Sequence, residues 1–410
     1  MKDFVEFSDN FKPEGKVKVE LFDDLTGRKI EEIKTNNFIA KGVNYYFRLA
    51  LIDLFTKNKG IHSIEHYSYS DLISRMVLTN ASHPEQPEKE WYIKGEAIGW
   101  AVTESEFYAD DEKQGNYNES ESFTTREQVH IVMDFPTHTA NGTFQSIYFT
   151  HEWGPPNFGI FRPFELEDLP GVLKAQKYNN EIWVLHSEYD WDYYMADYGN
   201  FLSRYDLDFN LIETYEFEFY NDIIDFYIYN NHIYFTEDAS HSKGLRRAPL
   251  SDPTNYTTVI EGPINRNEDL IGIVFDHKNN QFVISSAYDM NKKSIIRFDT
   301  NFNILSNTPF DLITYSDDYD NYHAQNLKLF INDDGDIFVN GRESSYILQN
   351  DRIGTDAEIG LVMGVFDNYK VMRDGEVMPQ IGISSRALLD TPVTKTSSTT
   401  MKITYDFMLP

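Results

Sequence analysis

The chain has 410 residues and a formal net charge of −30, because 66 Asp and Glu residues outnumber 36 Lys and Arg residues. So acidic a surface repels nucleic acid and anionic lipid, and it suits neutral or cationic partners. The sequence contains no cysteine, which excludes disulfides, thiolate metal ligands and cysteine nucleophiles.

The composition favours a mostly β protein without a membrane-inserted segment. Tyr and Phe are frequent, with 27 and 30 residues, and both suit half-buried pleated surfaces. The start, Met1–Phe7, lacks the apolar core of a signal peptide, and the most apolar stretch, Tyr45–Phe55, is interrupted by Arg48 and Asp53. We therefore expect no membrane insertion and no export by the usual signal route.

Residues 1–165 predict a β-rich domain with one helix. Val17, Val19 and Leu21 alternate with charged residues, which is typical of a half-buried strand. The turn residues Asp24–Gly27 then lead into a returning strand. Apolar residues at helical spacing predict a helix over 38–57.

Residues 166–352 contain an internal repeat. A turn followed by an apolar strand recurs at intervals of 49 to 55 residues. The four copies are 179–184, 230–235, 279–284 and 334–339. A second mark, Arg204–Leu211, recurs in phase as Arg297–Ile304. Such periodicity is typical of a repeat architecture.

Each repeat unit of about fifty residues has room for four short strands, the size of a propeller blade. One thin sheet cannot bury both of its faces, whereas sheets packed around an axis cover one another. We therefore expect an inserted four- or five-bladed β-propeller. A fifth blade would be completed by 160–166 or by strands near the end of the repeat. A sandwich of β-meanders is the alternative architecture.

Residues 353–410 leave the repeat and predict C-terminal strands, at 359–367 and 401–407. A short isolated tail of strands is hard to stabilise. We expect it to pack back on the N-terminal domain, which makes the propeller an insertion.

Three parts of the sequence outside the repeat share one resemblance. They are 15–22 with 36–42, 139–149, and 394–407. These segments resemble tail-fibre and baseplate proteins, of the receptor-binding type, from bacteriophages that infect Gram-positive bacteria. The resemblance covers the first and last domains and carries no catalytic motif. It implies a virion protein that is assembled in the host cytoplasm with other tail and baseplate proteins and exposed extracellularly after lysis.

The richest candidate binding segment lies between two strands of the first repeat unit. Exposed aromatic rings stack on sugar faces, and carboxylates accept sugar hydroxyls or pair with amino groups such as the alanyl esters of a wall polymer. The candidates for glycan contact are Tyr189, Asp190, Trp191, Asp192, Tyr193, Tyr194 and Tyr198. The alternative is an aromatic segment that packs on a neighbouring blade or subunit.

Metal binding finds little support in the sequence. The acidic runs 317–320 and 333–336 offer oxygen ligands for Ca²⁺, but neither has the spacing of a calcium loop. The second run lies where a hairpin turn is required. His62 and His66 flank Glu65 in an order that differs from the metalloprotease pattern. We expect no metal and no cofactor.

Catalysis finds equally little support. Glu188 with Asp190 or Asp192 is the carboxylate pair that would serve a glycosidase, but 66 acidic residues make such proximity a matter of chance. The sequence has no sialidase-type Ser-x-Asp-x-Gly-x-Thr-Trp box, no Gly-rich phosphate loop and no Gly-x-Ser-x-Gly elbow. We expect no catalytic residue and no enzymatic activity.

The favoured function is attachment, in which the first and last segments anchor to the virion and the propeller meets a host cell-wall glycopolymer. Two alternatives stay open: a purely architectural decoration of the tail or head, and a cell-wall polymer hydrolase. Fibre-type proteins are often trimeric, so a homotrimer is one open form of assembly, although the sequence has no long heptad run to support it.

Overall fold

The structure is a computed structural model, and it divides the chain into two compact units. Residues 1–161, 357–359 and 381–410 form one, called here the terminal unit, and residues 162–356 and 360–380 form the other, the propeller unit. The structure describes residues 14–40, 43, 73–87, 89–103, 111–125, 127–150, 164–165, 172–186, 201–207, 210–217, 223–237, 244–261, 268–288, 292–310, 327–341, 345–357, 361–366, 369–372, 376–379 and 382–408.

One antiparallel sheet makes up the terminal unit. Its strands, numbered in chain order over the whole protein, are β1 (Glu14–Asp23), β2 (Lys29–Ile39), β3 (Arg75–Thr79), β4 (Ala97–Val102), β5 (Asn116–Tyr117), β6 (Phe123–Thr124), β7 (Gln128–Phe135), β8 (Gly142–Thr150), β29 (Ser385–Lys395) and β30 (Thr399–Met408). Their order is β4-β3-β8-β29-β2-β1-β30-β7-β5, and β6 also pairs with β7. Trp100 of β4 bridges to Gln114 just before β5, so the sheet is nearly closed.

The first hairpin follows the sequence pattern. Val17, Val19 and Leu21 of β1 are buried, and Gly27 turns the chain with a φ of 66° before β2 returns antiparallel. The C-terminal strand β30 lies between β1 and β7. The prediction that C-terminal strands complete the N-terminal domain is therefore confirmed.

The helix predicted over 38–57 is not seen. Phe38 and Ile39 belong to β2, where they pair with Arg386 and Ser385 of β29. Val43 alone among the described positions of that range has helical backbone. The remaining positions, apart from Ala40, lie outside the described residues.

Five four-stranded antiparallel sheets make up the propeller unit, and we call them blades one to five. Blade one is β10 (Val172–Tyr178), β11 (Glu181–His186), β12 (Phe201–Tyr205) and β13 (Leu211–Glu216). Blade two is β14 (Ile223–Tyr229), β15 (His232–Glu237), β16 (Leu245–Pro249) and β17 (Thr257–Ile260). Blade three is β18 (Glu268–Asp276), β19 (Gln281–Tyr288), β20 (Lys292–Phe298) and β21 (Ile304–Phe310). Blade four is β22 (Leu329–Ile331), β23 (Ile337–Asn340), β24 (Ser345–Gln349) and β25 (Arg352–Asp356). Blade five is β26 (Val362–Phe366), β27 (Tyr369–Met372), β28 (Glu376–Pro379) and β9 (Phe164–Glu165).

The first strands of the blades form a closed ring around the axis. β10 lies beside β14, β14 beside β18, β18 beside β22, β22 beside β26, and β26 beside β10. The inserted β-propeller expected from the repeat is therefore confirmed. Its fifth blade is completed by Phe164–Glu165, within the range 160–166 that the sequence suggested. We expected the repeat to end at residue 352, whereas the propeller unit extends to Gln380.

The repeated turn residues have a conformational reason. In blades one and two, both central turn residues adopt left-handed backbone: Asn179 and Asn180 have φ of 50° and 62°, and Asn230 and Asn231 have φ of 50° and 58°. Asn tolerates this region better than most residues, and such two-residue turns match the twist of a hairpin. The Asn pairs therefore fix the register between the first and second strands of these blades.

The second repeated sequence, Arg204–Leu211 and Arg297–Ile304, connects the third and fourth strands. Its loop is held by hydrogen bonds from an Asn to an Asp carboxylate, an arrangement called here the bracket. The Asp206 carboxylate accepts hydrogen bonds from the Asn210 backbone N–H and side-chain amide, both at 2.9 Å. Asp299 and Asn303 repeat this bracket at 2.8 Å. The bracket joins the two ends of the loop through residues that are close together in the sequence.

None of the helical backbone that the structure describes is long and apolar enough to span a bilayer.

Candidate functional site: the loop face of the propeller

The two ends of the blades differ in the connections that they carry. Because neighbouring strands run antiparallel, the first-to-second and third-to-fourth connections lie at one end, the turn face, and the second-to-third and blade-to-blade connections lie at the other, the loop face. Between the strands that the structure describes in the propeller unit, the longest sequence intervals are 187–200 and 311–328, and the strands that flank them end at the loop face. Long connections on a rigid scaffold are the usual carriers of binding function.

The strands that flank the aromatic and acidic segment predicted to contact glycan end at the loop face. The segment joins β11, which ends at His186, to β12, which begins at Phe201. The candidate residues themselves lie outside the described residues: Tyr189, Asp190, Trp191, Asp192, Tyr193, Tyr194 and Tyr198. What the structure does describe is the scaffold that holds the two ends of the segment.

Buried and part-buried polar pairs join strands at the loop-face ends of the first two blades. In blade one, His186 Nε2 and Ser203 Oγ are 2.9 Å apart, and Ser203 Oγ is 2.9 Å from Thr214 Oγ1. In blade two, Arg246 Nε donates to Glu237 Oε2 at 2.9 Å, and Glu237 has no exposed side-chain surface. These hydrogen bonds fix the ends of the strands from which the loops depart.

The same level of blades three and four carries simpler polar pairs. Ser286 Oγ and Ser294 Oγ are 2.7 Å apart in blade three, and Ser345 Oγ donates to Asn340 Oδ1 at 2.8 Å in blade four. Asn340 Nδ2 also donates to the Val362 carbonyl of blade five at 2.8 Å. Four blades thus hold their loop-face ends by buried and part-buried hydrogen bonds, which stabilises a fixed platform.

A buried ion pair occupies the axis near the loop face. Lys174 of β10 lies with its Nζ 2.9 Å from both carboxylate oxygens of Asp225 in β14. The same Nζ donates to the Ile273 carbonyl of β18 at 2.7 Å, and the Ile273 N–H donates to Asp225 Oδ2 at 2.8 Å. The Phe226 N–H satisfies Asp225 Oδ1 at 2.8 Å. One ion pair therefore links three first strands.

The environment of this pair indicates a structural role. Burial lowers the pKa of Lys174 and raises the pKa of Asp225, and the attraction between the two charges opposes both shifts. Only 2% of Lys174 and none of Asp225 is exposed. Removing one partner of a buried, hydrogen-bonded ion pair strongly destabilises the folded state, because the other charge is left uncompensated. We therefore interpret this pair as an interaction that holds the first strands of the ring together.

Sequence reasoning missed this pair, although a signal was present. Lys174 and Asp225 each interrupt an apolar run at the same phase of the repeat, in Val-Leu-Lys-Ala and Ile-Ile-Asp-Phe. Opposite charges at equivalent positions of consecutive repeats predict a pair when the repeats are stacked around an axis. These opposite charges can be interpreted as a pair only once the arrangement of the repeats in a ring is known.

A second buried polar cluster, centred on Arg386, lies in the terminal unit. Arg386 of β29 has no exposed surface and donates to Glu90 Oε1 at 2.8 Å, to the His83 carbonyl at 2.7 Å and to Ser146 Oγ at 3.0 Å. His83 Nε2 lies 2.8 Å from Glu90 Oε1. This cluster fastens the connection between β3 and β4 to the sheet, and we assign it to stability.

The remaining sequence candidates are not assembled into a site. Asp336 donates its backbone N–H to Asn332 Oδ1 at 2.8 Å in the turn between β22 and β23, so the run 333–336 forms the hairpin turn of blade four. No group of three or more His, Asp or Glu side chains within the described ranges is arranged to hold a metal ion. The other candidates lie outside the part of the chain that the structure describes: 317–320, His62, Glu65, His66 and Glu188.

Comparison with known proteins gives no family. No protein-family model matches the chain, and no curated protein matches it. Among solved structures, a protein of unknown function from Bacteroides caccae is 11% identical with a TM-score of 0.26, over 48% of this chain and 55% of that one. The chain thus spans about half the length of that protein.

Two enzymes are similar at the same distant level. A gluconolactonase from Xanthomonas campestris is 10% identical with a TM-score of 0.32, over 56% of this chain and 69% of that one. Myxococcus xanthus glutaminyl cyclase is 8% identical with a TM-score of 0.31, over 56% of this chain and 97% of that one. At such identities and TM-scores, these matches carry no inference about activity.

Proposed function

We propose that this protein is a structural component of a bacteriophage tail fibre or baseplate and that it attaches the virion to a host cell-wall glycopolymer without catalysing a reaction. The loop face of the propeller makes the contact, and the terminal unit joins other tail proteins. The observation that carries the proposal is that hydrogen bonds hold the ends of the strands that flank the aromatic and acidic segment 187–200 and the strands at the same end of blade two.

Physical chemistry supports this assignment of the two units. Sugar rings bind to aromatic faces, and substituent ammonium groups bind to carboxylates. A protein of net charge −30 suits a polymer that carries cationic substituents such as alanyl esters. The virion assignment is supported by the resemblance of segments in β1, β8 and β30, all of which lie in the terminal unit.

Binding of the full-length protein to purified wall glycopolymers from Gram-positive bacteria tests the proposal. We expect the wild type to bind one polymer class and the double substitution Trp191→Ala, Tyr193→Ala to weaken binding by at least about tenfold, as loss of aromatic anchors does elsewhere. Phe123→Ala is the matched control, because Phe123 is an aromatic residue of the terminal unit that is 49% exposed.

Three outcomes would overturn the proposal. The first is that the wild type binds no polymer, including in its assembled oligomer. The second is that the loop substitutions bind like the wild type. The third is release of soluble fragments from the polymer, which would identify a hydrolase instead.

A further inference from the structure

Strand β2 has one long edge to which no described strand is paired. On one side, residues 29–37 lie against β1. On the other side, β29 pairs with β2 only at Phe38 and Ile39. No other strand in the described part of the chain pairs with residues 29–37 on that side. We call this segment the β2 edge, and its outward backbone N–H and C=O groups can pair with another chain.

The side chains of the β2 edge are more exposed than those of the neighbouring strand. Ile30 is 59% exposed, and Leu25 in the turn before it is 94% exposed. Glu31, Glu32 and Lys34 are exposed as well, whereas alternate residues of β1 are buried. A long, exposed edge with apolar residues is a surface to which a further strand adds.

The charges on the β2 edge favour one register with a second copy of the same edge. Two strands related by a two-fold axis pair antiparallel, and residues directly opposite each other point to the same face. Centred on Ile33, the pair places Glu32 opposite Lys34 at two positions and Ile33 opposite itself. Centred one residue earlier or later, it places Glu32 opposite Glu32 or Lys34 opposite Lys34, and like charges directly opposite each other are unfavourable.

The favoured register also fits the length of the edge. Ile33 is the midpoint of 29–37, so a pair centred there uses the whole segment and ends where β29 begins to pair at Phe38. Within one chain, Lys34 Nζ lies 2.7 Å from Glu32 Oε1, which places both side chains on the same face. Two copies would therefore bring four charges of alternating sign together on that face.

We infer that two copies of this chain associate through antiparallel pairing of their β2 edges, centred on Ile33. The inference is independent of the proposed attachment function. Charged side chains usually keep edge strands apart, but here they are complementary in one register. Such a contact uses the same surface on both copies and closes at two, in contrast to the homotrimer considered from the sequence.

Charge reversal tests the register. Glu32→Lys and Lys34→Glu each place like charges opposite each other twice, so each should weaken self-association of the full-length protein by at least about tenfold. Mixed together, the two variants regain opposite charges at both positions and should form a heterodimer. Analytical ultracentrifugation over a concentration series that reaches about 100 μM measures both effects.

Two controls accompany the reversals. The double substitution Glu32→Lys with Lys34→Glu exchanges the charges and should restore self-association to the wild-type level. Glu119→Lys reverses a charge at an exposed position of the same unit outside β2 and should leave self-association unchanged. Circular dichroism checks that each variant is folded.

Cross-linking provides a second measurement that needs no charge variant. The chain has no cysteine, so Ile33→Cys introduces a single thiol that faces its own copy across the two-fold axis. Opposite residues of antiparallel strands have Cα atoms about 4.5–5.5 Å apart, which a disulfide can span. We expect mild oxidation to give a covalent dimer with Ile33→Cys and not with the control Glu119→Cys.

Four outcomes would overturn the inference. They are a wild type that stays monomeric over the whole series, a wild type that assembles as a trimer, folded charge variants that do not form a heterodimer on mixing, and equal cross-linking of the two cysteine variants. Loss of glycopolymer binding would bear only on the attachment function, because none of these measurements uses the polymer.

Discussion

Arg386 and Glu90 illustrate how this protein accommodates buried charge. Arg386 is fully buried and directs its guanidinium donors to a carboxylate, a carbonyl and a hydroxyl. Burial raises the pKa of Glu90, but the hydrogen bond from His83 and the charge of Arg386 oppose it and hold the pKa below its usual range. A carboxyl group with a lowered pKa stabilises the folded state above its unfolded-state pKa, and this stability is lost as the pH falls through the folded-state pKa.

The substitution Glu90→Gln should therefore destabilise the terminal unit by about 3 kcal/mol or more, because it removes the carboxylate that compensates a buried guanidinium. Chemical denaturation at neutral pH measures the loss. Glu119→Gln is the matched control at an exposed position and should change stability by less than about 0.5 kcal/mol. Equal stabilities of the two variants would contradict the assignment.

Lys370 makes stability depend on pH in the alkaline range. It is 1% exposed in β27, and burial lowers its pKa to about 7 from the ordinary lysine value of 10.5. Between these two values the unfolded chain binds a proton that the folded chain does not, so stability rises with pH across this window. Below it, the folded state bears the cost of a buried charge.

We expect Lys370→Met to stabilise the propeller unit at pH 7 and to flatten the rise in stability between about pH 7 and pH 10. Urea denaturation at a series of pH values measures both effects. Lys278→Met, at an exposed position of the same unit, should keep the wild-type pH dependence. A Lys370→Met protein with an unchanged pH profile would show that the lysine is charged in the folded state throughout.

At the scale of the blade, the closest approach between neighbours depends on glycine. A Cβ on Gly364 of β26 would lie 2.0 Å from the Ala175 carbonyl oxygen of β10. We expect Gly364→Ala to destabilise the propeller unit by about 1–3 kcal/mol through overpacking, as thermal denaturation would show. Gly27→Ala, in the terminal unit, is the comparison, because its Cβ would lie in open space. It should lower the free energy of unfolding by only about 1–2 kcal/mol, through the strain of left-handed backbone.

The hairpin turns of the blades were predictable from sequence because their cause is local. Asn179–Asn180 and Asn230–Asn231 select left-handed backbone by themselves. The fifth blade was harder to predict because its second strand, which begins at Tyr369, follows the fourth copy at 334–339 too closely for the repeat interval. Its fourth strand also comes from Phe164–Glu165, at the far end of the unit.

At the start of the range 38–57, where a helix was predicted, the backbone depends on residues that are distant in the sequence. Ile39 begins the apolar stripe that predicted the helix, but Phe38 and Ile39 pair with Arg386 and Ser385 at the other end of the chain. Pairing between such distant strands overrides local periodicity, and no short window of sequence contains it. The Arg386 cluster could not be predicted for the same reason, because Arg386 is far in the sequence from the residues that it contacts.

At the scale of the whole molecule, the ring is closed by strands from both ends of the insertion. β9 precedes blade one in the chain and pairs with β28 to complete blade five. We expect Phe164→Pro with Glu165→Pro to lower the melting temperature of the propeller unit, because proline removes backbone donors from the ladder. The transition of the terminal unit should not change.

The alanine pair Phe164→Ala with Glu165→Ala is the control for this closure, because it keeps both backbone N–H groups. Calorimetry resolves the two units if they melt separately. If the double proline variant and the double alanine variant have the same melting temperature, β9 contributes little to closing the ring.

Hydrogen–deuterium exchange can locate the surface through which the protein binds the wall polymer. The full-length protein is labelled with and without saturating wall glycopolymer, and peptides are compared between the two faces of the propeller. We predict slower exchange in 187–200 and other loop-face connections, with no change in the turns at 179–180, 230–231 and 299–303. Protection confined to the turn face or to the terminal unit would show that the loop face is not the attachment surface.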